Sequence, residues 1–156
     1  MGEYVMTTIS IGGTLTQATL TAFVAAAQAY YPDADERIAA ALADGTRVTL
    51  EAEQNYGNTP DLDAFCRAHG LAYQRAWTSA LGVFEAGLEH WRPGLAEPVE
   101  EAADEGGDPM MTLAGLRRCL RTRQTLADVV ARLSAAHVLA VPPLMRVRED
   151  GGSPPA

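Results

Sequence analysis

The sequence predicts an α+β fold, with a mainly antiparallel sheet of about four to five strands and helices packed on one face. Two kinds of segment support this prediction. Some short segments alternate apolar and polar residues, as half-buried strands do, and others repeat apolar residues at helical spacing. The two kinds are mixed along the chain, and two of the strand segments are close enough to form a hairpin.

The N-terminal segments predict a strand followed by a helix. Residues 4–11 alternate and are rich in β-branched side chains, so we expect a strand that ends at Gly12 and Gly13. Thr14 begins a capping-box pattern, in which side chains satisfy the free amide groups at a helix start. The helix that follows has an apolar stripe and ends at Pro32.

Two helices and a strand are predicted next. Residues 33–43 repeat the capping pattern and predict a short helix, with Gly45 as its C-terminal cap. Residues 47–53 alternate, which predicts a strand whose apolar side chains face the core. The segment 59–70 has the strongest helix signals, because threonine and proline begin it and a glycine ends it.

The middle of the chain predicts a β-hairpin. Residues 71–78 and 83–91 both have strand character, and a short connection joins them. The buried side of the first strand is left open, since Tyr73 and Trp77 share a side with Arg75.

The later segments predict a loop, helical structure and a last strand. Residues 94–110 contain six acidic residues and no basic one among glycines and prolines, which predicts a mobile loop. Residues 112–135 predict a helix that is either continuous or broken near 122–125. Residues 137–141 have the character of a final strand, which a proline pair ends.

The length of the chain indicates a single domain. We assign residues 1–148 to it and expect the tail over 149–156 to be disordered. All twelve basic residues are arginine. The absence of lysine excludes Schiff-base enzymes and P-loop proteins, because the first need an amine that can lose its proton and the second a lysine that reaches phosphate.

Charge is distributed unevenly along the chain. The net charge is −8 overall, and residues 1–105 carry −11 while residues 106–156 carry +3. This asymmetry indicates either that the two parts of the chain complement each other or that the partner is basic. An acidic protein binds nucleic acid poorly, since that affinity depends on neutralising phosphates. We therefore expect no direct contact with nucleic acid.

The sequence indicates an intracellular, cofactor-free protein. Two cysteines are too few for a disulfide scaffold. The N-terminus has no basic region followed by an apolar stretch, and no apolar run approaches the roughly 20 residues of a membrane helix. We expect a cytoplasmic location, no membrane contact and no cofactor, and the oligomeric state stays open.

Four glutamates are the first candidates for a binding site. Glu51 and Glu53 would lie on the solvent side of one strand, and Glu85 and Glu89 on the solvent side of another. Together they would form a negative row, with Arg75 bridging strands. Paired carboxylates also serve glycosidases, but such a row suits a positively charged partner better than bond cleavage.

Aromatic side chains are the candidate anchors of the same interface. Trp77, Trp91 and Tyr73 lie near the predicted negative row, and exposed tryptophans are natural anchors of protein interfaces. If they are buried instead, they belong to the core. The sequence leaves both readings open.

Two other classes of function are weighed against binding. Cys66 and His69 lie one turn apart on a predicted helix, and with His90 they could ligate a metal or form a nucleophile pair. Their spacing also fits an apolar helix stripe, so a structural role is the stronger interpretation. A further alternative is a structural protein that self-associates through an exposed sheet edge.

A group of arginines marks the late helix. Arg117, Arg118, Arg121 and Arg123 precede a segment that resembles the first helix of a helix-turn-helix, but no recognition helix follows. We expect these arginines to pair with the acidic loop or to remain in water.

Four short stretches resemble small bacterial proteins carried on phages, plasmids and integrative elements. They are ISIGGTL at 9–15, DAFCRAHGLAY at 63–73, WRPG at 91–94 and VPPL at 141–144. The resemblance implies an accessory protein that acts on host or defence machinery, and it assigns no residue a role. The sequence thus predicts a non-enzymatic acidic binding module that engages a basic protein surface, as an anti-defence inhibitor would.

Overall fold

The computed structural model describes residues 2–148 of the chain. Within them the protein has an α+β fold, which confirms the predicted class. The predicted tail over 149–156 lies outside the described residues. The strands are β1 (Tyr4–Leu15), β2 (Val48–Asn55), β3 (Ala72–Trp77), β4 (Gly87–Trp91), β5 (Val99–Ala103), β6 (Pro109–Met110) and β7 (Leu144–Arg146). The helices are α1 (Gln17–Gln28), α2 (Ala34–Asp44), α3 (Pro60–Ala68), α4 (Leu113–Arg121) and α5 (Leu126–Ala136), and a 3₁₀ turn covers Val138–Ala140.

The strands form one sheet in the order β2-β1-β3-β4-β5-β6, and every neighbouring pair in this order is antiparallel. β7 pairs in parallel with the last three residues of β1. The predicted hairpin of β3 and β4 is present, and its register places Arg75 opposite Glu89. The sheet has more strands than predicted because β5, β6 and β7 form from segments without strand composition.

The main core lies between one face of the sheet and helices α1, α2 and α3. Ile9 of β1 and Leu50 of β2 pack there with Phe23 of α1, Ile38 of α2 and Leu62 of α3, and all five are essentially inaccessible to solvent. Each such side chain stabilises the fold by roughly 1.5–3 kcal/mol through its removal from water. The alternation predicted for β2, with its apolar residues facing in, is therefore confirmed.

The opposite face of the sheet is covered in part by α5. Leu88 of β4 clusters there with Ala103 and Ala136, and Arg132 of α5 forms two hydrogen bonds of 2.6 Å to Glu101 of β5. Helices α1, α2 and α3 pack on one face of the sheet as predicted, and α5 packs on the other face in addition. β4 is buried on both of its sides, because residues that alternate with those of the main core contact α5.

Local signals located several helix ends correctly. Gly45 ends α2 in the left-handed conformation with φ 69°, and α3 begins at Pro60. Of the two alternatives for the late helix, the broken one is present, and a capping box formed by Thr125 and Asp128 begins α5. The first helix begins later than predicted, since Thr16 rather than Thr14 caps α1.

The glycine pair after residue 11 does not end β1. The strand continues to Leu15, and the amide of Gly13 donates a hydrogen bond of 3.0 Å to the carbonyl of Pro143. A Cβ atom on Gly12 would overlap the backbone of Pro142. These glycines therefore let the C-terminal segment cross against the strand instead of making a turn.

Three other segments differ from the prediction. The acidic stretch 94–110 is not one continuous loop, because β5 pairs with β4 and β6 pairs with β5. β4 begins only at Gly87, after a turn that holds the bridge between Ala80 and Phe84. The last strand is β7, since residues 138–140 form a 3₁₀ turn.

None of the helices between residues 2 and 148 has the length and apolar character needed to cross a membrane.

Candidate functional site

The four glutamates predicted to form one row lie in three different places. Glu51 and Glu53 are exposed on β2, on the sheet face away from α1, α2 and α3. Glu89 lies on the other face, opposite Arg75, and Glu85 belongs to the connection before β4. The prediction of a single negative row is wrong, because the two strands turn their glutamates to opposite sides of the sheet.

Glu89 takes part in a buried ion network. Arg75 is 3% exposed and lies between Asp63 and Glu89, at 2.9 Å from Asp63 Oδ2 and 3.2 Å from Glu89 Oε2. Its remaining terminal nitrogen donates to the carbonyl of Gly57. Arg75 does bridge strands as expected, but its second carboxylate comes from α3. The sequence left open which side of β3 is buried. The structure shows that the side carrying Tyr73, Arg75 and Trp77 packs on α3.

Further hydrogen bonds complete this network. Tyr73 donates a 2.7 Å hydrogen bond to Glu89, and Thr59 donates one of 2.7 Å to Asp63. Burial raises the pKa of Asp63, and the guanidinium of Arg75 works against that shift. Burial also raises the pKa of Tyr73 far above its ordinary value, with a further contribution from Glu89. The phenol therefore stays protonated as a donor.

The predicted aromatic anchors are largely internal. Tyr73 is 1% exposed and Trp91 is 8% exposed, and the indole N–H of Trp91 donates to the carbonyl of Leu95. Trp77 is half-buried, its ring lies 5.4 Å from the Arg75 guanidinium carbon, and its N–H donates to the carbonyl of Glu85. Tyr73 and Trp91 are core residues, because β3 and β4 turn that side towards α3.

The structure separates the residues of the metal or nucleophile alternative. Cys66 is fully buried in the main core, where burial raises the pKa of its thiol. His69 is exposed at the end of α3 and its ring lies 4.2 Å from that of Phe65. His90 lies on the opposite face of the sheet. The three do not converge, and no cluster of three or more potential metal ligands occurs among the described residues.

The uncovered part of the second sheet face forms a groove of about 480 Å³, here called the acidic groove. Its floor is made by β1, β2 and β3, and includes Ser10 and Gln74. Its wall is made by residues 105–108, which connect β5 to β6, and by Val138. The groove exists because α5 covers only the β4 side of this face.

Three carboxylates and one guanidinium line the acidic groove. They belong to Glu51, Glu105, Asp108 and Arg47. Glu51 accepts a hydrogen bond of 3.1 Å from Thr8, and neither Glu51 nor Glu105 forms an ion pair with another described residue. Asp108 lies 3.7 Å from His137, and Arg47 donates to the carbonyl of Val141. The lining therefore carries a net negative charge.

A buried amide adds a further acceptor to the groove. Gln74 is 5% exposed, and its Nε2 donates to the carbonyls of Ala136 and Gly107, at 3.3 and 3.4 Å. These two carbonyls orient the amide, because only its nitrogen can donate to them. Its Oε1 accepts no hydrogen bond from the described residues, so it can accept one from a ligand.

Other grooves have a different character. One of about 640 Å³ between α1, α2 and β7 is mainly apolar, and one of about 690 Å³ lies between α5 and the 3₁₀ turn. A groove of about 410 Å³ beside α4 contains Glu85, Arg118 and Arg132. The Arg75 network lines none of these grooves, so its carboxylates have no path to a substrate there.

The sequence pointed to part of the acidic groove. Glu51 was a predicted site residue and lies in it, and Glu53 lies two residues further on the same strand face. Glu105, Asp108 and Gln74 were missed. The first two lie in the segment read as a mobile loop, and alternation along β3 gave no sign of which side Gln74 faces.

Comparisons with known proteins identify no relative for this chain: no family model, curated protein or solved structure matches it. Its function is therefore inferred from the geometry and charge described above.

Proposed function

We propose that this protein is a non-enzymatic binding module that engages a basic segment of a partner protein through the acidic groove. The observation that supports the proposal best is the concentration of acceptors there: three carboxylates and the free Oε1 of Gln74, against the single guanidinium of Arg47. Arginine and lysine side chains carry positive charge and only donors. They are the chemical complement of such a lining.

Charge outside the groove supports the same partner. Residues 1–105 carry a net charge of −11, and Glu53 lies exposed on the strand that provides Glu51. A field of this sign raises the rate at which a basic partner associates and disfavours acidic competitors. Because exposed charges are screened within about 8–10 Å at physiological salt, binding is expected to weaken as salt rises.

An enzymatic function is less well supported. General acid–base catalysis requires a titratable group within reach of a bound substrate. The most strongly interacting acids, Asp63 and Glu89, are already bound by Arg75 beneath α3. Among the described residues, the basic side chains beside the groove acids are Arg47, which donates to the carbonyl of Val141, and His137 near Asp108, and no cysteine lines the groove with them. Binding is thus the function that the geometry favours.

A titration with a short, end-blocked arginine-rich peptide tests this proposal. The double variant Glu51→Gln with Asp108→Asn should weaken the affinity roughly tenfold, or about 1.4 kcal/mol, because it removes two negative charges from the groove and replaces one oxygen of each carboxylate with a donor. Calorimetry at low salt and at about 0.15 M salt should show a smaller salt dependence for the variant than for the native protein.

The matched control is the pair Glu85→Gln with Glu36→Gln. It changes the net charge by the same amount at two exposed positions outside the groove. The control should retain the native affinity within about twofold. If both double variants weaken binding equally, attraction is a property of the whole surface, and the groove is not the site. Absence of peptide binding would overturn the proposal outright.

The accessory role implied by the resemblance to proteins of mobile elements is a narrower form of this proposal. It requires that the partner's basic surface normally holds nucleic acid, for which this protein would compete. Added duplex DNA should then displace the protein from such a partner. If this protein, its partner and the DNA instead remain together in a ternary complex, the protein is a binding module that does not inhibit nucleic-acid binding.

A further inference from the structure

A second surface, opposite in charge to the acidic groove, lies on α4. Leu113, Leu116 and Leu120 follow one another at i, i+3 and i+7, so they form one stripe along the helix. They are 62%, 41% and 75% exposed. We call them the leucine stripe. At 1.5 Å per residue the stripe is about 10 Å long, or two helical turns.

The leucine stripe is exposed because α4 contacts the rest of the molecule through other residues. Cys119 is the buried residue of the helix, and its sulfur lies 3.7 Å from the sulfur of Met111. Gly115 faces the same methionine, since a Cβ there would come within 3.0 Å of its side chain. Cys119 and Gly115 thus lie on the side of α4 that packs on the preceding Met111, and the three leucines lie outside that contact.

Basic residues accompany the leucine stripe. Arg117 and Arg121 are spaced one turn apart beside it, and Arg118 and Arg123 lie on the same segment. No acidic residue occurs between residues 109 and 127. All four arginines are exposed, and none forms an ion pair within the part of the chain that the structure describes. Of the two expected states, these arginines take the solvent-exposed one, and the ion pair with the acidic segment is made by Arg132.

We propose that α4 is a docking surface for an acidic amphipathic helix of a partner protein. The partner's apolar residues would cover the leucine stripe, and its glutamates or aspartates would pair with Arg117 and Arg121. Helix recognition of this kind uses apolar anchors at i, i+3, i+4 and i+7. Together with the acidic groove, which it does not require, this surface would make the protein an adaptor with two oppositely charged faces.

Charge favours this occupant over a second copy of the chain and over an anionic membrane. An antiparallel pair of α4 helices from two copies would place Arg117 and Arg121 of both on the same side, where they repel each other. An anionic membrane presents a plane of negative charge to the whole molecule, whose net charge is −8. A single acidic helix meets only the local basic patch. The leucines would also gain nothing against the phosphates of a nucleic acid.

The test uses a synthetic, end-blocked peptide helix with leucines at i, i+3, i+4 and i+7 and glutamates on both flanks. The control is a scrambled peptide of the same composition, in which the leucines are spread around the helix. Titration into the isotope-labelled protein should shift the amide signals of α4 with the patterned peptide, at concentrations below about 1 mM, and much less with the scrambled one.

Matched variants identify the contacts. Leu120→Ser and Arg121→Glu should each weaken binding at least about fivefold, whereas Leu81→Ser and Arg92→Glu should change it less than about twofold. The control residues are an exposed leucine and an exposed arginine far from α4 in sequence. The test of the acidic groove uses a different peptide and different residues. If its variants bind the arginine-rich peptide as well as the native protein does, the proposal for α4 is unaffected.

Several outcomes would overturn the proposal. They are equal binding of the two peptides, no shift on α4, and loss of affinity in the control variants. Sedimentation with anionic vesicles that depends on Leu120 would instead assign the surface to a membrane. A dimer that Leu120→Ser dissociates would assign it to a second copy of the chain.

Discussion

At the scale of single residues, the most consequential side chain is Arg75. It pairs with the carboxylates of Asp63, which is 4% exposed, and Glu89, which is half-buried. Without this cation, the burial of these two negative charges would destabilise the folded protein. A buried ion pair is weak proof of net stability, because desolvation offsets the attraction of its charges. Removal of one partner is a different matter, since it leaves the other charge buried without compensation.

The variant Arg75→Leu should therefore lower the free energy of unfolding by about 3–5 kcal/mol, because Asp63 and Glu89 would lose their shared cation. Urea unfolding followed by tryptophan fluorescence measures this loss. The matched control is Arg37→Leu, which breaks the exposed pair of Arg37 with Asp33. That change should cost about 0.5 kcal/mol or less. Similar losses in the two variants would contradict the structural role of Arg75.

At the scale of elements, helix ends could be predicted from local sequence signals, whereas strands that depend on pairing with distant segments could not. The ends of α2 and α3 were predictable because Gly45, Pro60 and Gly70 act on their own backbone. β5 was not predictable, since its sequence VEEAA has the composition of a solvated loop. It becomes a strand through its hydrogen bonds to β4 and through the pairing of Glu101 with Arg132, and both depend on distant parts of the chain.

The same limit applied to the candidate site. Alternation identified the exposed face of β2, so Glu51 was found. On β3 it failed, because Tyr73, Arg75 and Trp77 share one side and a buried arginine looks like an exposed one in sequence. The side of that strand is decided by Asp63, which comes from another element. Sequence reasoning therefore located the charges, but it assigned them to the correct face on β2 and not on β3 or β4.

Gly12 gives a direct test of how elements meet. The variant Gly12→Ala should lower the free energy of unfolding by about 1–3 kcal/mol, because its Cβ would push the backbone of Pro142 away from β1. The control is Gly106→Ala, whose Cβ would meet only the carboxylate of Asp104, at 3.3 Å. Denaturant unfolding should show little change in the control. If both alanines are tolerated equally, the close crossing of the two segments is not required.

At the scale of the whole molecule, the two ends of the described chain are joined. β7 pairs with β1, and the amide of Val147 donates a hydrogen bond of 2.8 Å to the carbonyl of Leu15. Leu144 of β7 is fully buried in the main core beside residues of the N-terminal half. The basic C-terminal part is thus held to the acidic body by core packing and main-chain pairing, as well as by the ion pair of Arg132.

This arrangement predicts that Leu144→Ala destabilises the entire fold. The expected loss is about 2–5 kcal/mol, because the truncation leaves a cavity in the main core. Met145 provides the control, since it is the next residue on the same strand and is 55% exposed. Met145→Ala should cost less than about 1 kcal/mol. Both variants are to be unfolded in urea and followed by tryptophan fluorescence and by circular dichroism.

The two signals distinguish a single cooperative unit from a loosely attached C-terminal segment. If β7 is part of the core, fluorescence and circular dichroism of Leu144→Ala should report one coincident transition at lower denaturant. An early separate transition, with the remaining signal unchanged from the native protein, would mean that the C-terminal segment detaches alone.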